Sequence, residues 1–467
     1  MPSSTDPESI SPDLLGRRLL FSFSGKWARN RLLKSSTAEY MASFSASDSG
    51  SRGIPSAELV NLYRRWGEGD IGVIITGNIM IDPQHLVSAG DPIIPIDAPF
   101  EGLRFERFSK IALEAKRHGS LIIAQLCHPG RQTPVYLQPF PIGASDIRVS
   151  GGSFGADFGK PREAKREDIS YIVEGFAHAA VYAERAGFDG IQLQAAHGHL
   201  LSQFLSPRTN KRQDNYGGSI KNRMKLISEI RKAISERVAE TFIVGIKINA
   251  VEFQESAFNL EETVQLCIEL EKMRFDFVEL SGGTYEDWTI GRKQVTSIPQ
   301  HEGFFLEYGR IYSERMERTK VYVTGGYRSV KGMIRAVQEV DGIGLARPLC
   351  QEPHLCSHIM SGSVETAPPI KIDTENFHLT SVAALMQMQH LGKGLQPVDL
   401  GSERDTNRLY KAILDHERTR SELFTEQRAA LLEGLDAEQN ITKLARDLAL
   451  RVLLSTEHKN AFEIRAA

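Results

Sequence analysis

The sequence predicts an α/β fold in which eight strands form a (β/α)8 TIM barrel, followed by a C-terminal helical extension. Short apolar, β-branched runs alternate with longer segments of helical periodicity, which is typical of βα units and a parallel sheet. A doubly wound open sheet is the alternative, but no strand is followed by G-x-G-x-x-G and a helix. The eight runs are Arg31–Ser35, Ile71–Thr76, Leu121–Gln125, Gly190–Leu193, Ile243–Ile248, Phe277–Leu280, Val321–Thr324 and Gly342–Leu345.

Segments with apolar residues at three- and four-residue spacing connect these runs and predict amphipathic helices. A Pro- and Gly-rich stretch from Pro134 to Gly159 predicts a long loop after the third strand, where barrel enzymes keep functional loops. The predicted helices are Ser56–Glu68, Phe105–His118, Ile169–Ala186, Arg223–Val238 and Leu260–Met273.

The βα alternation stops near Pro368, and the remaining chain is rich in helix-forming residues with interspersed charges. We therefore expect three parts: a disordered N-terminus over residues 1–12, the barrel over 13–365 and a helical extension over 366–467. The simplest interpretation of the extension is a solvated helical cap or a contact in a homo-oligomer. A module that binds another protein is the alternative.

Composition narrows the classes of partner. A net charge of −3 over 467 residues gives no basic footprint for nucleic acid, and no run of about 18 apolar residues predicts a membrane span. The scattered cysteines lack C-x-x-C spacing, which argues against a disulfide framework or a metal site. We expect a cytoplasmic protein that acts on small molecules, with four free thiols at Cys127, Cys267, Cys350 and Cys356.

Active sites of barrels lie at the carboxyl ends of the strands, so polar residues after each run are the candidates. A glycine pair after the seventh run precedes a helix that begins near Val330, and backbone N–H groups there can approach an anion. Arg347 follows the eighth run, where many barrels bind phosphate. A plain turn with a surface arginine is the alternative interpretation of these residues.

Lys247 interrupts the apolar run IVGIKIN. Burying an ammonium group without a counter-charge is expensive, and an anionic ring system would supply one. The alternative is a side chain that points outward and extends to solvent at the strand end.

The segment 193–219, LQAAHGHLLSQFLSPRTNKRQDNYGGS, resembles a long and specific motif of the Old Yellow Enzyme family. Further matching segments follow one another in order over roughly residues 13–360: NRLLKSSTAEY, IITGNIMID, AQLCHPGRQ, VGIKIN, VELSGG, VTGGYRS and GIGLARPL. The chain is most similar to the NADH:flavin oxidoreductase / NADH oxidase branch and the flavin domain of 2,4-dienoyl-CoA reductases, without the iron–sulfur cysteines of the latter.

The resemblance implies an FMN site at the carboxyl ends of the strands. Ser36 and Thr37 match residues that meet the flavin, Gly77 lies beside its pyrimidine ring, and Gln125 matches the amide that bonds this ring. Lys247 matches a basic residue near the flavin atoms where negative charge accumulates on reduction. The residues that match the phosphate cradle are Gly283, Gly325, Gly326, Ala346 and Arg347.

Three positions depart from the family pattern. The pair that binds the substrate oxygen is Gln194 and His197 here, and a glutamine can donate from its amide but cannot carry positive charge. His199 replaces the tyrosine that donates a proton; with a pKa near ~6.5 it could do the same, or form the pocket wall while water supplies the proton. Ala38 replaces a residue near the flavin, which should alter the reduction potential.

The expected enzyme is an FMN-dependent oxidoreductase with a ping-pong cycle. NADH or NADPH reduces the flavin and leaves, and an electron-poor alkene conjugated to a carbonyl or similar group enters the same pocket. Gln194 and His197 hold its oxygen, and His199 or water protonates the α-carbon. The alternatives are an NAD(P)H oxidase or flavin-binding pseudoenzyme, and an interaction protein that acts through the C-terminal extension.

Overall fold

The computed structural model describes residues 13–45, 47–150, 157–250, 260–283, 302–374, 376–411 and 413. The N-terminal segment expected to be disordered, residues 1–12, lies outside the described residues. Within the described part of the chain, no helix has the length and apolar character needed to cross a membrane.

Eight parallel strands close into a barrel, which confirms the predicted fold. Each strand pairs with its neighbours in chain order, and the last strand pairs with the first, so the sheet has no open edge. All eight predicted runs form strands, and most extend further at the carboxyl end. They are β1 Leu32–Lys34, β2 Val73–Met80, β3 Leu121–Cys127, β4 Gly190–Ala195, β5 Ile243–Asn249, β6 Phe277–Ser281, β7 Lys320–Thr324 and β8 Gly342–Leu345.

Helices follow the strands and surround the barrel. The predicted helix Arg223–Val238 is divided into two, which meet at Met224. The helices are α1 Asp13–Gly16, α2 Ala57–Gly67, α3 Gly102–Lys116, α4 Arg166–Arg185, α5 Leu200–Leu205, α6 Ile220–Arg223, α7 Lys225–Ser235, α8 Leu260–Lys272, α9 Leu306–Ser313, α10 Val330–Ala336, α11 Arg347–Gln351, α12 Leu355–Met360 and α13 Phe377–Gly392.

The amino-terminal half of the barrel interior is an apolar core. Inward-facing residues alternate along each strand with residues that face the helices, so side chains from different strands meet in layers. A short antiparallel pair, Leu19–Leu20 with Trp27–Ala28, packs against this end of the barrel. The apolar core therefore closes the amino-terminal end and leaves the carboxyl end for chemistry. Its strand residues are Leu33, Val73, Ile75, Ile123, Ile243, Phe277 and Tyr322.

A bulge interrupts β2 at the predicted site residue Gly77. The register with β3 shifts between Ile75 and Asn78. A bulge bends its strand and re-aims the following residues, and such bulges are frequent beside active sites. A Cβ atom at Gly77 would overlap the Glu39 carboxylate and lie 2.7 Å from the backbone oxygen of Thr37, so only glycine fits.

The predicted long loop after β3 has local structure at its ends. Ile142–Gly143 pairs in parallel with Arg162–Glu163, and Pro134 forms a bridge with Phe158. Residues 151–156 of the predicted loop lie outside the described residues.

The C-terminal extension begins with a helix that is packed on the barrel. The helix α13 contacts α2 and α11, and it buries Leu379, Ala383 and Leu391. A second helical segment covers residues 403–411. Most of the predicted extension beyond residue 411 lies outside the described residues.

Candidate active site

A polar layer lies above the apolar core, toward the carboxyl ends of the strands. Its members are inward-facing side chains of six different strands or strand ends, and they form one hydrogen-bonded network. They are Ser35, Gln125, Gln192, Lys247, Glu279 and Thr324.

Glu279 is at the centre of this layer and has no exposed surface. Its carboxylate accepts hydrogen bonds from Ser35 Oγ at 2.5 Å, Thr324 Oγ1 at 2.7 Å and Gln192 Nε2 at 2.8 Å. Lys247 Nζ lies 3.1 Å from Glu279 Oε1 and donates to Ser35 Oγ at 2.9 Å. Both charges are therefore paired inside the protein.

The ion pair corrects the expectation that an anionic ring neutralises Lys247. Lys247 does point into the barrel, but its counter-charge is Glu279 of the neighbouring strand, which pairs with it in register. Burial by itself would raise the pKa of the Glu279 carboxyl, but the nearby ammonium of Lys247 and the three neutral donors outweigh burial and lower it. The carboxyl is therefore ionised at neutral pH.

Gln125 ends the polar layer on the side of β3 and is fully buried. Its Nε2 donates to Gln192 Oε1 at 2.5 Å. Within the described residues, Gln125 Oε1 and Asn249 Nδ2 are buried without a hydrogen-bond partner. Such buried polar atoms cost free energy, so both mark a place where a ligand or water would complete the network.

The turn after β4 brings Gln194 and His197 together. His197 has a φ of 58° and is followed by Gly198 at 74°, so two left-handed residues turn the chain back toward the strand end. Gln194 Nε2 lies 3.5 Å from His197 Nδ1, and His197 Nε2 lies 3.1 Å from Ser281 Oγ. Burial and the nearby charge of Lys247 lower the pKa of His197 well below its usual value, so the ring is neutral.

His199 precedes α5 and is also neutral, contrary to the pKa near ~6.5 expected from the sequence. Burial lowers its pKa to about 4, although the hydrogen bond to Ala196 opposes this shift. Because a carbonyl oxygen can only accept, Nδ1 donates to Ala196 O at 3.2 Å. The neutral ring therefore carries its proton on Nδ1 and a lone pair on Nε2.

The glycine pair after β7 lies in a tight turn covered by aromatic side chains. Gly326 has a φ of 73°, and a Cβ atom there would lie 2.5 Å from the Phe304 ring. The sequence had suggested an anion site at the N-terminus of α10. In the structure this position is not open to an anion. Glu302 already accepts from Arg328 N at 2.8 Å and Ser329 N at 2.5 Å. Any anion between β7 and β8 must therefore rely on the glycine turn and Arg347.

One residue, Ala346, separates Arg347 from the end of β8. Ala346 has a φ of −105° and a ψ of −93°. Its guanidinium donates from Nη1 to Thr380 Oγ1 at 2.6 Å and lies 5.9 Å from the centre of the Phe377 ring. Thr380 and Phe377 belong to the C-terminal helix α13, so this helix reaches the predicted phosphate site.

The remaining predicted residues lie around the same end of the barrel. Ser36 and Thr37 follow β1 and are partly buried, and Thr37 Oγ1 lies 3.4 Å from Met388 Sδ. The backbone N–H of Gly77 donates to Glu39 Oε1 at 2.9 Å. Gly283 has a φ of 91° and is the last described residue before a gap at 284–301.

A buried cluster beside the site combines Asp82, His85 and His128. Its hydrogen bonds argue against a metal ion: His128 Nδ1 accepts from Gly130 N at 3.0 Å, and His85 Nε2 accepts from Ile142 N at 3.4 Å. Because the nitrogen turned away from Asp82 accepts a hydrogen bond in each ring, the ring proton lies on the nitrogen that faces Asp82, where a metal would need a lone pair. His85 Nδ1 lies 2.7 Å from Asp82 Oδ2. The cluster stabilises a buried carboxylate.

Sequence reasoning missed Glu279, Gln192 and Asn249. Glu279 interrupts the apolar run FVEL in the same way that Lys247 interrupts IVGIKI, so the same signal would have found it. Gln192 and Gln194 alternate on β4, and both face the interior because residues two apart share a face. Asn249 has no distinctive signal, because an amide at a strand end is common.

A closed parallel barrel with a buried ion pair and a glycine turn at its carboxyl end fits the class of barrel oxidoreductases that bind flavin. The chain belongs to the NADH:flavin oxidoreductase / NADH oxidase family, whose model matches residues 26–365. It is therefore an oxidoreductase of the Old Yellow Enzyme type, as the sequence motifs predicted.

Relatives support this assignment. The NADH-dependent flavin oxidoreductase nadA of Aspergillus parasiticus is 49% identical over 398 residues, which cover 85% of this chain and 89% of nadA. The NADH-dependent flavin oxidoreductase iliE of Hypocrea jecorina is 33% identical over 350 residues, which cover 71% of this chain and 85% of iliE.

Solved structures share the fold. Morphinone reductase in complex with tetrahydroNAD matches with a TM-score of 0.61 and 21% identity, over 76% of this chain and 92% of that one. A 2-naphthoyl-CoA reductase in complex with 2-naphthoyl-CoA matches with a TM-score of 0.70 and 18% identity, over 83% of this chain and 59% of that one.

Proposed function

We propose that the chain binds FMN at the carboxyl end of its barrel and uses a reduced nicotinamide, NADH in the first place, to reduce an electron-poor alkene conjugated to a carbonyl or similar group. The observation that carries the proposal is the unsatisfied, buried Gln125 Oε1 next to the Lys247–Glu279 pair. An oxidised flavin presents both N–H and carbonyl groups along one ring edge, and this donor set complements them. The NADH preference rests on the name of the nadA relative.

Different residues would contact different parts of the cofactor. Gln125 and Lys247 would contact the pyrimidine ring, Gly77 and the residues Ser36 and Thr37 would line it, and Arg347 would bind the phosphate. Gly325 and Gly326, with Ala346 and Gly283, would allow the close backbone approach that a phosphate needs. Among the described residues of this cradle, no contact calls for an adenylate half, so FMN is proposed instead of FAD.

Bound FMN would supply acceptance of a hydride from the nicotinamide and its delivery to the β-carbon of the alkene, in two half-reactions that share one pocket. Gln194 and His197 would donate hydrogen bonds to the substrate oxygen, where negative charge develops. Both are neutral, so each acts as a dipole and not as a charge.

The position of His199 bears on which group donates the proton to the α-carbon. At neutral pH its Nε2 carries a lone pair and its Nδ1–H is donated to Ala196 O, so the ring has no proton to release toward a substrate. We therefore assign the proton of the α-carbon to water, with His199 as a wall of the pocket. This favours one of the two alternatives left open by the sequence.

Two measurements test the proposal. The cofactor released by acid from the purified yellow protein should run as FMN on chromatography, and Arg347→Ala should weaken its retention by about 1.5–3 kcal/mol, the scale of a charge-assisted hydrogen bond. Release of FAD would refute the cofactor assignment.

The second measurement concerns the substrate. Anaerobic addition of NADH should bleach the flavin, and an enone such as cyclohexenone should restore the colour faster than buffer alone. Consumption of NADH that depends on oxygen and stays the same with every activated alkene tried would favour an oxidase over a reductase.

A further inference from the structure

The C-terminal helix α13 lies beyond residue 365, where the family model ends, but it contacts the predicted cofactor site at two points. Near its N-terminus, Thr380 Oγ1 accepts the hydrogen bond of Arg347 Nη1 at 2.6 Å. Two turns further on, Met388 Sδ lies 3.4 Å from Thr37 Oγ1. Arg347 follows β8 and Thr37 follows β1, and these two strands are paired neighbours in the barrel.

The hydrogen bonds of the Thr380 hydroxyl are determined by its position in the helix. It is 5% exposed and lies 3.1 Å from Asn376 O and 3.0 Å from Phe377 O, both of which can only accept. Its single proton is therefore donated to the backbone of its own helix, and its lone pairs face the guanidinium. The hydroxyl is oriented to accept from Arg347 before any anion arrives.

The helix itself is held firmly against the barrel. Asn61 Nδ2 of α2 donates to Leu391 O at 3.3 Å and to Gly392 O at 2.8 Å, which satisfies carbonyl groups at the C-terminus of α13. At Gly392 a Cβ atom would lie 2.9 Å from Glu58 O, so the two helices are close together. The contact with Arg347 is therefore made from a fixed platform.

We propose that α13 is a part of the FMN site: Thr380 is a positioning residue that holds Arg347 in the orientation for the phosphate, and Met388 supports Thr37. This inference rests on the proposed function, because it takes Arg347 as the phosphate ligand. It opposes the interpretation of the extension as a solvated cap or an independent interaction module, since removing the helix should then release flavin.

The test is a reconstitution titration of the full-length apoprotein with FMN, followed by quenching of flavin fluorescence. Thr380→Val keeps the shape of the side chain but removes the acceptor, and we expect the Kd for FMN to rise about three- to tenfold. Thr380→Ser restores the hydroxyl and should bind nearly as the wild type does. Ser381→Ala is the matched control, because Ser381 Oγ lies 2.7 Å from Phe377 O and the substitution removes a hydroxyl from the same helix while the Thr380 acceptor stays in place.

A double-mutant cycle separates positioning from general loosening of the helix. If Thr380 acts through Arg347, then adding Thr380→Val to Arg347→Ala should change the Kd less than twofold further. An equal further loss in that background, or a Thr380→Val variant that binds FMN as the wild type does, would overturn the inference. If Arg347→Ala itself retains FMN at the wild-type Kd, the proposed phosphate site is wrong instead.

Discussion

Buried titratable side chains are charged in the barrel interior and neutral in the turn after β4. In the polar layer, Lys247 forms an ion pair with Glu279, and the Glu279 carboxylate stays ionised because it also accepts from three further donors. In the turn, His197 and His199 lose their charge, because burial and the Lys247 ammonium lower the pKa of both rings. Buried charge persists where nearby groups compensate the loss of hydration, and where burial outweighs those contacts the neutral form is favoured.

This difference determines what a bound substrate or cofactor would meet. On the barrel side lies an ion pair in which the two charges compensate each other. The charge that a bound group meets there changes only when one member of the pair is removed, and its sign depends on which member that is. On the side of the turn lie neutral hydrogen-bonding groups, whose strength changes little between pH 6 and 8. Variants in one region should therefore leave the other region intact.

Breaking the ion pair should cost the most stability. Lys247→Met leaves the Glu279 carboxylate buried without its cation, and we expect the free energy of unfolding to fall by about 3–5 kcal/mol. The double variant Lys247→Met/Glu279→Gln removes both charges and should recover most of this loss. Urea denaturation of the apoproteins measures both. A double variant as unstable as the single one would show that the pair contributes through packing and not through charge.

The neutral histidines should make the fold sensitive to mild acid. The folded pKa of His128 and of His199 is about 4, below the unfolded value of ~6.5, so the unfolded chain binds more protons between these two values. The stabilisation is complete above pH ~6.5 and is lost as the pH falls toward 4. For each ring the loss between pH 8 and pH 5 is about 2 kcal/mol.

His199→Phe should therefore flatten the decline of stability between pH 8 and pH 5, measured by urea denaturation at each pH. His118→Phe is the control, because it makes the same substitution at an exposed position. A decline with the same slope in all three proteins would mean that the His199 ring is not kept neutral by the fold.

Removing the negative member of the pair should shift the flavin reduction potential. Glu279→Gln leaves Lys247 uncompensated, so the reduced and more negative form of the flavin is favoured and the potential should rise by tens of millivolts. For a two-electron couple about 30 mV corresponds to ~1.4 kcal/mol. Thr324→Val is the control, because it removes a hydrogen bond from the same carboxylate without changing its charge. An unchanged potential in a fully flavinated Glu279→Gln variant would place the pair away from the flavin.

The smallest effect should come from His199 in the reaction itself. His199→Phe should leave reduction by NADH unaltered and slow reoxidation by an enone less than tenfold, because the ring is neutral at pH 7 and water supplies the proton. Wild-type reoxidation should be flat between pH 6 and 8 in single-turnover stopped flow. A loss of about 10²-fold or more, together with a pH profile that disappears in the variant, would restore His199 as the general acid.

The sequence by itself determined the barrel, the eight strands and the family, because strand periodicity and long motifs are local properties of the chain. It also located Gln125 at the end of the third run, Lys247 within the fifth and Arg347 after the eighth, and βα order places all carboxyl ends on one face. It could identify Lys247 as a buried cation, but not its partner.

Only the tertiary structure decided which charges meet and which disappear. Glu279 lies beside Lys247 because β5 and β6 pair in register, and Thr380 lies beside Arg347 because α13 folds back across 33 residues of chain. The pKa of His199 depends on how completely other segments bury its ring. Pairing, burial and hydrogen-bond direction are relations between distant segments, and no local pattern of residues encodes them.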